Sequence, residues 1–339
     1  MTGTLATVVG AAGIMLAGLM VAPGVSQAVT RAHHAVRAGK AVPDYYLSLG
    51  DSYSQGYQTP TVDNSPGYTD TVAKKEHLVL ENFGCGGATT TSLLETVGCP
   101  GSQEAVYGVA YPGTTQEQAA LAFIANHPDK IGLVTVSIGG NDVTACAANP
   151  DPIPCVATAS ATIKANVDTL VADLNTALTT YGDSARLVGL TYPDVILGDD
   201  VFPAGATNPV LAGQSAYAFD NLINPNLDLA YTSVPYGSFV DVTDASYVKG
   251  KISAPMGDDT GSWNLATGAY TGPTTKFNPF GKTVPESVAE VCSLTNYCTL
   301  QGTSIPTPMA TSSSPDSSCP TSASEAGRTV RSRRPVTSR

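Results

Sequence analysis

Three short polar turns carry the residues of this sequence whose types and spacing best suit chemistry. They read LGDSYSQGY, NFGCGGATT and IGGND, and each follows a short apolar run. Acyl transfer requires a serine oxygen as nucleophile and hydrogen-bond donors aimed at the developing oxyanion. Ser52 carries such an oxygen, and its backbone N–H, that of Gly87 and the side-chain amide of Asn141 are three candidate donors. Each turn alone is equally typical of a loop or a helix cap, because turns favour the same residue types.

The apolar runs around these turns are predicted to form the strands that position them. The five runs cover residues 44–50, 78–84, 131–140, 185–192 and 238–242. Helical spacing and capping residues predict helices between them, around residues 68–77, 114–127, 160–182 and 211–231. Strands that alternate with helices predict an α/β fold with a parallel sheet covered on both faces. Ligands bind such sheets beyond the carboxyl ends of the strands, where all three turns lie.

Together and in this order, the three turns resemble the conserved blocks of the SGNH (GDSL-type) serine esterases and lipases. The resemblance is closest to the secreted, disulfide-bearing branch, in which a cysteine precedes the glycine of the second block. It implies a flavodoxin-like, three-layer α/β/α sandwich with a central parallel sheet. It also implies Ser52 as nucleophile, with Gly87 and Asn141 in the oxyanion hole. Tyr53 stands where many members have leucine, at a position that flanks the nucleophile and does not react.

The resemblance fails at the catalytic base, so the base histidine is not present in the expected place. Members of the family carry an aspartate and a histidine two or three residues apart before the last helix, and the histidine deprotonates the serine. This sequence has four histidines. His33 and His34 lie near the N-terminus, His77 lies at the polar end of a predicted helix, and His127 precedes the third strand at the opposite edge of the sheet. We therefore expect none of them to act as the base.

A shift of reading frame near codon 301 accounts for the missing base. The peptide GTSIPTPMA, encoded by suitable codons and read one frame over, becomes Asp-Ile-His-Pro-Asn-Thr-Asp-Gly-Tyr. In the same frame the serines of residues 312–318 become large apolar residues, whereas residues 315–339 as written contain no Leu, Ile, Phe, Tyr or Trp. We infer a frameshift in the gene or in its sequencing, which makes 302–339 an aberrant, disordered tail. The alternative is a natural Ser/Thr/Pro-rich disordered tail.

Residues 1–28 are predicted to be a secretory signal peptide. An uncharged apolar run, residues 5–22, is followed by Pro-Gly, and residues 26–28 read Ser-Gln-Ala, a small-x-Ala cleavage site. Positive charge before the run is missing, so an upstream start or an uncleaved membrane anchor stays open. With cleavage, residues 29–43 form the mature N-terminal segment, no stable membrane span remains, and residues 44–301 form the hydrolase domain. Within it, residues 245–290 are predicted to be a long ordered loop beside the substrate cleft.

Seven cysteines indicate an oxidising compartment. Six of them lie in three close couples, none with the Cys-x-x-Cys spacing of a zinc site. Six cysteines allow fifteen connectivities. Among these we infer the local pairing, which is Cys85–Cys99, Cys146–Cys155 and Cys292–Cys298. Cys319, in the tail, is left over.

The net charge of the chain limits the classes of partner that it can bind. Residues 41–301 carry 26 acidic and 9 basic side chains, and the resulting net charge of −17 disfavours nucleic acid as a partner. The leading hypothesis is a secreted, monomeric hydrolase of small-molecule or lipid carboxylic esters, without a metal or other cofactor. A carbohydrate O-deacetylase and a non-catalytic binding relic of the fold are the alternatives, since a fold does not choose among them.

Overall fold

The structure is a computed structural model in which the following residues are described: 42–57, 67–201, 207–242, 247–248, 251–252, 261–277, 281–295 and 298. The predicted signal peptide (1–28), nearly all of segment 29–43 and the tail 302–339 lie outside the described residues. So do His33, His34 and Cys319. The predictions made on them therefore stay predictions.

Five parallel strands form the central sheet in the order β2-β1-β3-β4-β5. The strands are β1 (Tyr45–Gly50), β2 (Val79–Asn82), β3 (Ile131–Ser137), β4 (Arg186–Leu190) and β5 (Gly237–Val240). Each overlaps an apolar run that the sequence predicts as a strand, and only β5 begins one residue early, so the predicted parallel α/β architecture is confirmed. The order is flavodoxin-like, and it reverses between β1 and β3, which opens a crevice at the carboxyl ends of these two strands.

Nine α-helices lie in the described part of the chain. They are α1 (Ser52–Gln55), α2 (Tyr68–Glu76), α3 (Thr90–Glu95), α4 (Gln116–Asn126), α5 (Gly140–Val143), α6 (Pro152–Thr180), α7 (Pro209–Ala218), α8 (Asn224–Tyr231) and α9 (Glu286–Leu294). The prediction that α6 begins at Ser160 is wrong by eight residues. A proline in the first turn of a helix removes no helical hydrogen bond, so Pro152 and Pro154 are tolerated there. Within the described ranges, no helix is long and apolar enough to cross a membrane.

The prediction of a long loop over residues 245–290 is wrong in its described parts. These contain three short antiparallel pairs and the start of α9. The pairs are β6 (Tyr247–Val248) with β7 (Lys251–Ile252), β8 (Ser262–Trp263) with β9 (Tyr270–Thr271), and β10 (Thr274–Phe277) with β11 (Lys282–Pro285). Threonine, tyrosine and tryptophan favour strands, which explains hairpins in a segment whose Gly and Pro content indicated a loop.

The helices divide unevenly between the two faces of the sheet. The first face carries Leu47, Val134 and Leu187, which share a register and belong to one large buried core with α3–α9. The second face carries Tyr46 and Leu133, which pack against α2 in a small separate cluster. The buried residues of α6 on the first face include Ile163, Val167, Leu170, Val171 and Leu174. The core that supports the crevice therefore lies on the first face.

Each of the three cysteine couples forms a disulfide in the structure. The bonds are Cys85–Cys99, Cys146–Cys155 and Cys292–Cys298. The first joins the turn after β2 to the loop between α3 and α4, and the second joins the region after α5 to the first turn of α6. Both thus restrain segments at the carboxyl edge of the sheet, where the crevice lies.

Candidate active site

Ser52 is the first residue of α1, a four-residue helix that follows β1 after a single residue. That residue, Asp51, caps the helix, because its Oδ1 accepts a hydrogen bond from the Tyr53 backbone N–H at 3.0 Å. Glycine is required at position 50, where φ is +132° and a Cβ would overlap the carbonyl oxygen of Ser137. The abrupt turn leaves Ser52 at the carboxyl edge of the sheet, where the sequence predicts it.

Gln116, which sequence analysis did not identify, fixes the position of this turn. Its Oε1 accepts a hydrogen bond from the Gly50 N–H at 2.7 Å, and its Nε2 donates to the Gly50 carbonyl oxygen at 3.0 Å. Nε2 also lies 3.3 Å from the Tyr111 hydroxyl. Gln116 is 2% exposed, so the contact is shielded from water. Its side-chain amide therefore supplies the hydrogen bonds that the Gly50 N–H and carbonyl groups require when they are buried. The only sequence feature that could have pointed to Gln116 is its position directly after Thr115, the residue that caps α4.

The second turn presents Gly87 to open space. Its φ is +77°, and no atom lies within 4 Å of the point where a Cβ would stand. Within the described part of the chain, neither the Gly87 N–H nor the Ser52 N–H donates to a protein acceptor. Asn82 ties this turn to α1, since its Nδ2 donates to the Ser54 carbonyl oxygen at 2.7 Å and its Oδ1 accepts from the Gly84 N–H at 2.9 Å. Two unengaged backbone donors beside open space are the elements of an oxyanion hole.

Asn141 joins the first two turns to the third. Its Nδ2 donates to the Ala88 carbonyl oxygen at 2.9 Å and lies 3.3 Å from Asp51 Oδ2. Ala88 follows Gly87 and Asp51 precedes Ser52, so this one amide brings the three predicted site residues to a common place. Both of its N–H groups are engaged with protein acceptors. Asn141 therefore has to give up one of these bonds in order to donate to a bound oxygen.

Asp142 anchors the third turn to α3. Its Oδ2 accepts from the Thr90 backbone N–H at 2.9 Å, and its Oδ1 accepts from the Thr90 hydroxyl at 2.6 Å. Burial raises the pKa of the Asp142 carboxyl, while the two bonds from Thr90 oppose that rise. In the described part of the chain, no group of three or more His, Cys, Asp or Glu side chains is arranged to hold a metal ion.

Asp51 is a fully buried carboxyl at the centre of the site. Its Oδ2 accepts a hydrogen bond from the Tyr192 hydroxyl at 2.9 Å. Burial raises the pKa of Asp51 to about 7, and the hydrogen bonds from the Tyr53 N–H and the Tyr192 hydroxyl limit that rise. The residue directly before the candidate nucleophile thus carries a carboxyl whose pKa lies near neutral pH, and this carboxyl also holds the Tyr53 N–H on the other side of Ser52.

Tyr192, a second residue that sequence analysis missed, packs behind the candidate nucleophile. Its ring meets Tyr53 edge-on with centroids 4.8 Å apart and stacks on Phe219 at 6.2 Å. Its ring also lies where a Cβ of Gly140 would stand, so glycine is required in the third turn. Tyr53, the departure from the family pattern, is thus a buried packing residue. No signal in the sequence links Tyr192 to Asp51, because 141 residues separate them.

The two described histidines lie at the other edge of the sheet. His77 ends α2 directly before β2, and His127 ends α4 before β3. The His127 ring stacks on Phe123 at 4.0 Å and its Nδ1 lies 2.8 Å from the Phe123 carbonyl oxygen. Since the strands are parallel, residues that precede them are separated from Ser52 by the length of the sheet. Neither histidine reaches the candidate site.

The turns, their order and their setting match one known family. A model of the GDSL-like lipase/acylhydrolase family matches residues 48–224, which is more than half of the chain. The chain belongs to this family. The match includes all three turns, from the strand before Ser52 to the helix beyond Tyr192. The fold is accordingly that of the SGNH hydrolases, as the sequence predicts.

Solved structures with a similar fold are distant in sequence. An extracellular lipase from Streptomyces rimosus is 21% identical over 62% of this chain and 86% of its own, with a TM-score of 0.36. A phospholipase A1 from Streptomyces albidoflavus NA297 is 20% identical over 59% and 80%, with a TM-score of 0.35. AlinE4, an SGNH-hydrolase family esterase, is 17% identical over 59% and 76%, with a TM-score of 0.32. No curated protein matches the chain.

Proposed function

We propose that this chain derives from a secreted serine hydrolase that cleaves carboxylic esters through an acyl-enzyme on Ser52. The observation that carries the proposal is the Asn141 amide, which lies between Ala88 and Asp51 and so gathers the three turns. The Ser52 oxygen attacks the ester carbonyl, whose oxygen becomes an oxyanion held by the N–H groups of Ser52 and Gly87. Asn141 adds a third donor when it releases the Ala88 carbonyl oxygen. The alcohol then leaves, and water hydrolyses the acyl-enzyme.

The chemical step for which the described residues supply no group is removal of the serine proton. A base must take the Ser52 hydroxyl proton and return it to the departing alkoxide. The described histidines lie at the opposite edge of the sheet from Ser52. The carboxyl of Asp51 is buried and already accepts a hydrogen bond from the Tyr192 hydroxyl, so it is not placed to take the serine proton. We therefore propose that the chain as written is nearly inactive. Its rate should lie roughly 10⁴- to 10⁶-fold below that of a chain with the base restored.

The proposed frameshift near codon 301 is tested by sequencing the DNA across codons 296–325. A base gained or lost relative to the written frame, which restores the Asp-Ile-His block, would support it. Both chains are then expressed and assayed with p-nitrophenyl butyrate. High turnover by the restored chain alone is the expected result. Ordinary turnover by the chain as written would show that another group acts as the base and would refute the proposed loss.

The nucleophile is tested without the base by a reactive phosphonate probe. We expect slow covalent labelling at Ser52, located by peptide mass spectrometry, and no labelling of Ser52→Ala. The restored chain should label much faster, because the base then activates the same oxygen. An intact fold that never labels, in either frame, would favour the binding relic over the hydrolase.

Secretion rests on two features of the chain. The disulfide couples suit an oxidising compartment, and residues 5–22 followed by Ser-Gln-Ala resemble a signal peptide. Expression in a secreting host, followed by N-terminal sequencing of the protein in the medium, tests this. A start at residue 29 is expected. Retention of the full N-terminus in the membrane fraction would favour an anchored form.

Two cavities at the carboxyl edge favour different substrates. A cavity of about 30 Å³ lies beside Val143, two residues past Asn141, and its apolar lining favours a short acyl group, since the volume holds only about one methyl-sized group; the lining includes Val143, Ile153, Val156, Ile196, Phe219 and Ile223. A larger cavity of about 280 Å³ lies at the ends of β4 and β5 and has a polar lining; it includes Thr191, Asp220, Asn224, Asp228 and Asp241. The second supports a carbohydrate O-deacetylase, because carboxylates and amides bind sugar hydroxyls.

Two matched variants of the chain with the frame restored distinguish an acetylated sugar from a lipid or short-acyl ester as the substrate. Asp228→Asn alters the polar cavity, and Ile153→Ser alters the apolar one. If the enzyme is a deacetylase, kcat/KM for an acetylated sugar falls about tenfold in Asp228→Asn alone. If it is a lipid or short-acyl esterase, Ile153→Ser lowers kcat/KM for p-nitrophenyl butyrate and Asp228→Asn does not.

A further inference from the structure

The loop between α3 and α4, residues 96–115, exposes large apolar side chains. Val97 is 60% exposed, Val106 is 46% exposed and Tyr107 is 101% exposed. Tyr107 also has a φ of +58°, a conformation that costs energy for a bulky residue. An aromatic ring held fully in water by a strained backbone gains nothing from packing within the chain. Such a feature indicates a function outside it.

The 96–115 loop is tied to both turns of the candidate site. The Cys85–Cys99 disulfide joins it to the second turn, and the Gly86 N–H donates to the Gln103 carbonyl oxygen at 2.8 Å. Gln55, the last residue of α1, donates from Nε2 to the Glu104 carbonyl oxygen at 3.1 Å. Val106 and Tyr107 follow Glu104 after a single residue. They therefore lie at the carboxyl edge, within three or four residues of the contacts that tie this loop to the second turn and to α1.

The charge around the 96–115 loop excludes several partners. Residues 76–129 contain no lysine or arginine, and residues 41–301 have a net charge of −17. Anionic lipids and nucleic acids would be repelled rather than attracted. Three side chains also offer far less area than the roughly 800 Å² per partner of a stable protein interface. Tyrosine with neighbouring aliphatic residues suits the boundary between lipid headgroups and acyl chains.

We propose that the 96–115 loop docks the protein onto an electrically neutral lipid surface, with Val106 and Tyr107 inserted between the lipids. The substrate class is then an ester presented at that surface, and its carbonyl group reaches Ser52 without leaving the aggregate. The docking is a physical property of the loop, whereas its role in substrate delivery rests on the proposed function.

Vesicle co-sedimentation tests the docking independently of catalysis. The probes are phosphatidylcholine vesicles and the same vesicles with phosphatidylserine added. The variant pair Val106→Ser/Tyr107→Ser removes the inserted groups. Tyr236→Ser is the matched control, because this tyrosine is 54% exposed and directly precedes β5 at the opposite edge. All chains share the apolar N-terminal run, so differences between variants report the loop alone.

We expect the loop variant to bind phosphatidylcholine vesicles at least about tenfold more weakly than the unaltered chain, with Tyr236→Ser unchanged. Added phosphatidylserine should weaken binding by the unaltered chain. Equal losses in the two variants, no loss in either, or tighter binding to the anionic vesicles would overturn the proposal. Thermal melting and disulfide mapping establish that the loop variant is folded.

The two proposals fail in different assays. Ser52→Ala should bind vesicles like the unaltered chain but resist a soluble phosphonate, and the loop variant should show the reverse. Absence of phosphonate labelling with intact vesicle binding would refute the hydrolase and leave the docking surface. Labelling without loop-dependent binding would refute the docking surface and leave the hydrolase.

Discussion

The two faces of the central sheet differ in the helices that cover them. The first face packs against α6 and α8 in a continuous core, whereas α2 is the one described helix in the cluster on the second face. Over β4 and β5 the described residues leave the second face partly exposed: Val188 and Leu190 are half-buried and Val240 is 41% exposed. Parallel sheets are normally covered on both faces. The described chain thus has one complete layer and one partial layer.

The difference between the faces explains how the site can be well built and yet incomplete. Gln116 and Phe219 reach the site from helices of the first face, and Tyr192 packs against the same core. The Asp-x-His block of the family stands before the last helix, which the shifted frame would supply with apolar residues. A frameshift near codon 301 would therefore remove the base and a second-face helix together, and leave the three turns in place.

Restoring the reading frame should have the largest effect on the free energy of unfolding, because we expect the restored last helix to cover the second face. A helix that covers Val188, Leu190 and Val240 would raise the free energy of unfolding by roughly 3–6 kcal/mol, equivalent to the burial of about two apolar side chains. Urea denaturation of the two chains measures this gain. The restored histidine changed to alanine is the control, which should keep the added stability and lose the esterase activity. Equal stability of the two chains would contradict the view that the second face lacks a helix.

Truncation of one apolar side chain on each face should give the next largest contrast. Leu174→Ala, in α6 under the first face, should cost about 2–5 kcal/mol because Leu174 is fully buried. Val240→Ala should cost less than about 1 kcal/mol in the chain as written, since Val240 is already 41% exposed. In the restored chain the cost of Val240→Ala should rise. Urea midpoints at unchanged m-values measure the loss of unfolding free energy in both variants. A loss in Val240→Ala as large as that in Leu174→Ala would show that the second face is covered already.

The sequence predicts the first layer better than the contacts within it. The apolar runs predict all five strands, and glycine-rich turns after three of them predict the places of Ser52, Gly87 and Asn141. Local patterns suffice for these because each depends on neighbouring residues. The bonds from Tyr192 to Asp51 and from Gln116 to Gly50 join residues 141 and 66 positions apart, which no local pattern records.

The hairpins within residues 245–290 and the early start of α6 escape prediction for a different reason. The glycine, threonine and proline content of residues 245–290 indicates a loop, and Ser160 is a typical residue for a helix start, although proline is also tolerated in the first turn of a helix. The disulfide couples were predictable because each closes a short loop, of 14 residues or fewer in separation. Engagement of the Asn141 amide with Ala88 and Asp51 could not be predicted, since it depends on the distance between three separate turns.

Buried carboxyls on the first-face side should make stability depend on pH. Burial raises the pKa values of Asp51 and Asp194 to about 7 in the folded chain, above those of the unfolded chain. The folded chain therefore holds extra protons between about pH 4 and pH 7, and its stability falls as the pH rises through that window. The loss is no more than about 4 kcal/mol for each carboxyl. Asp51→Asn and Asp194→Asn should each reduce the difference in unfolding free energy between pH 5 and pH 8, and an unchanged difference in both would contradict the assignment.

Loss of the Tyr192 hydroxyl should give the smallest contrast, a difference of about 1 kcal/mol between two pH values, and it tests whether the first face sets the titration of Asp51. Tyr192→Phe keeps the ring against Tyr53 and Phe219 but removes the hydrogen bond to Asp51 Oδ2. Hydrogen bonds to a charged acceptor are stronger than those to a neutral one, so the cost should be about 2 kcal/mol at pH 8 and about 1 kcal/mol at pH 5. The matched control is Tyr231→Phe, on the same face, whose buried hydroxyl has no hydrogen-bond partner among the described residues and whose loss should not depend on pH. Equal costs of Tyr192→Phe at the two pH values would mean that Asp51 does not change charge between them, and that burial by the first face does not set its titration.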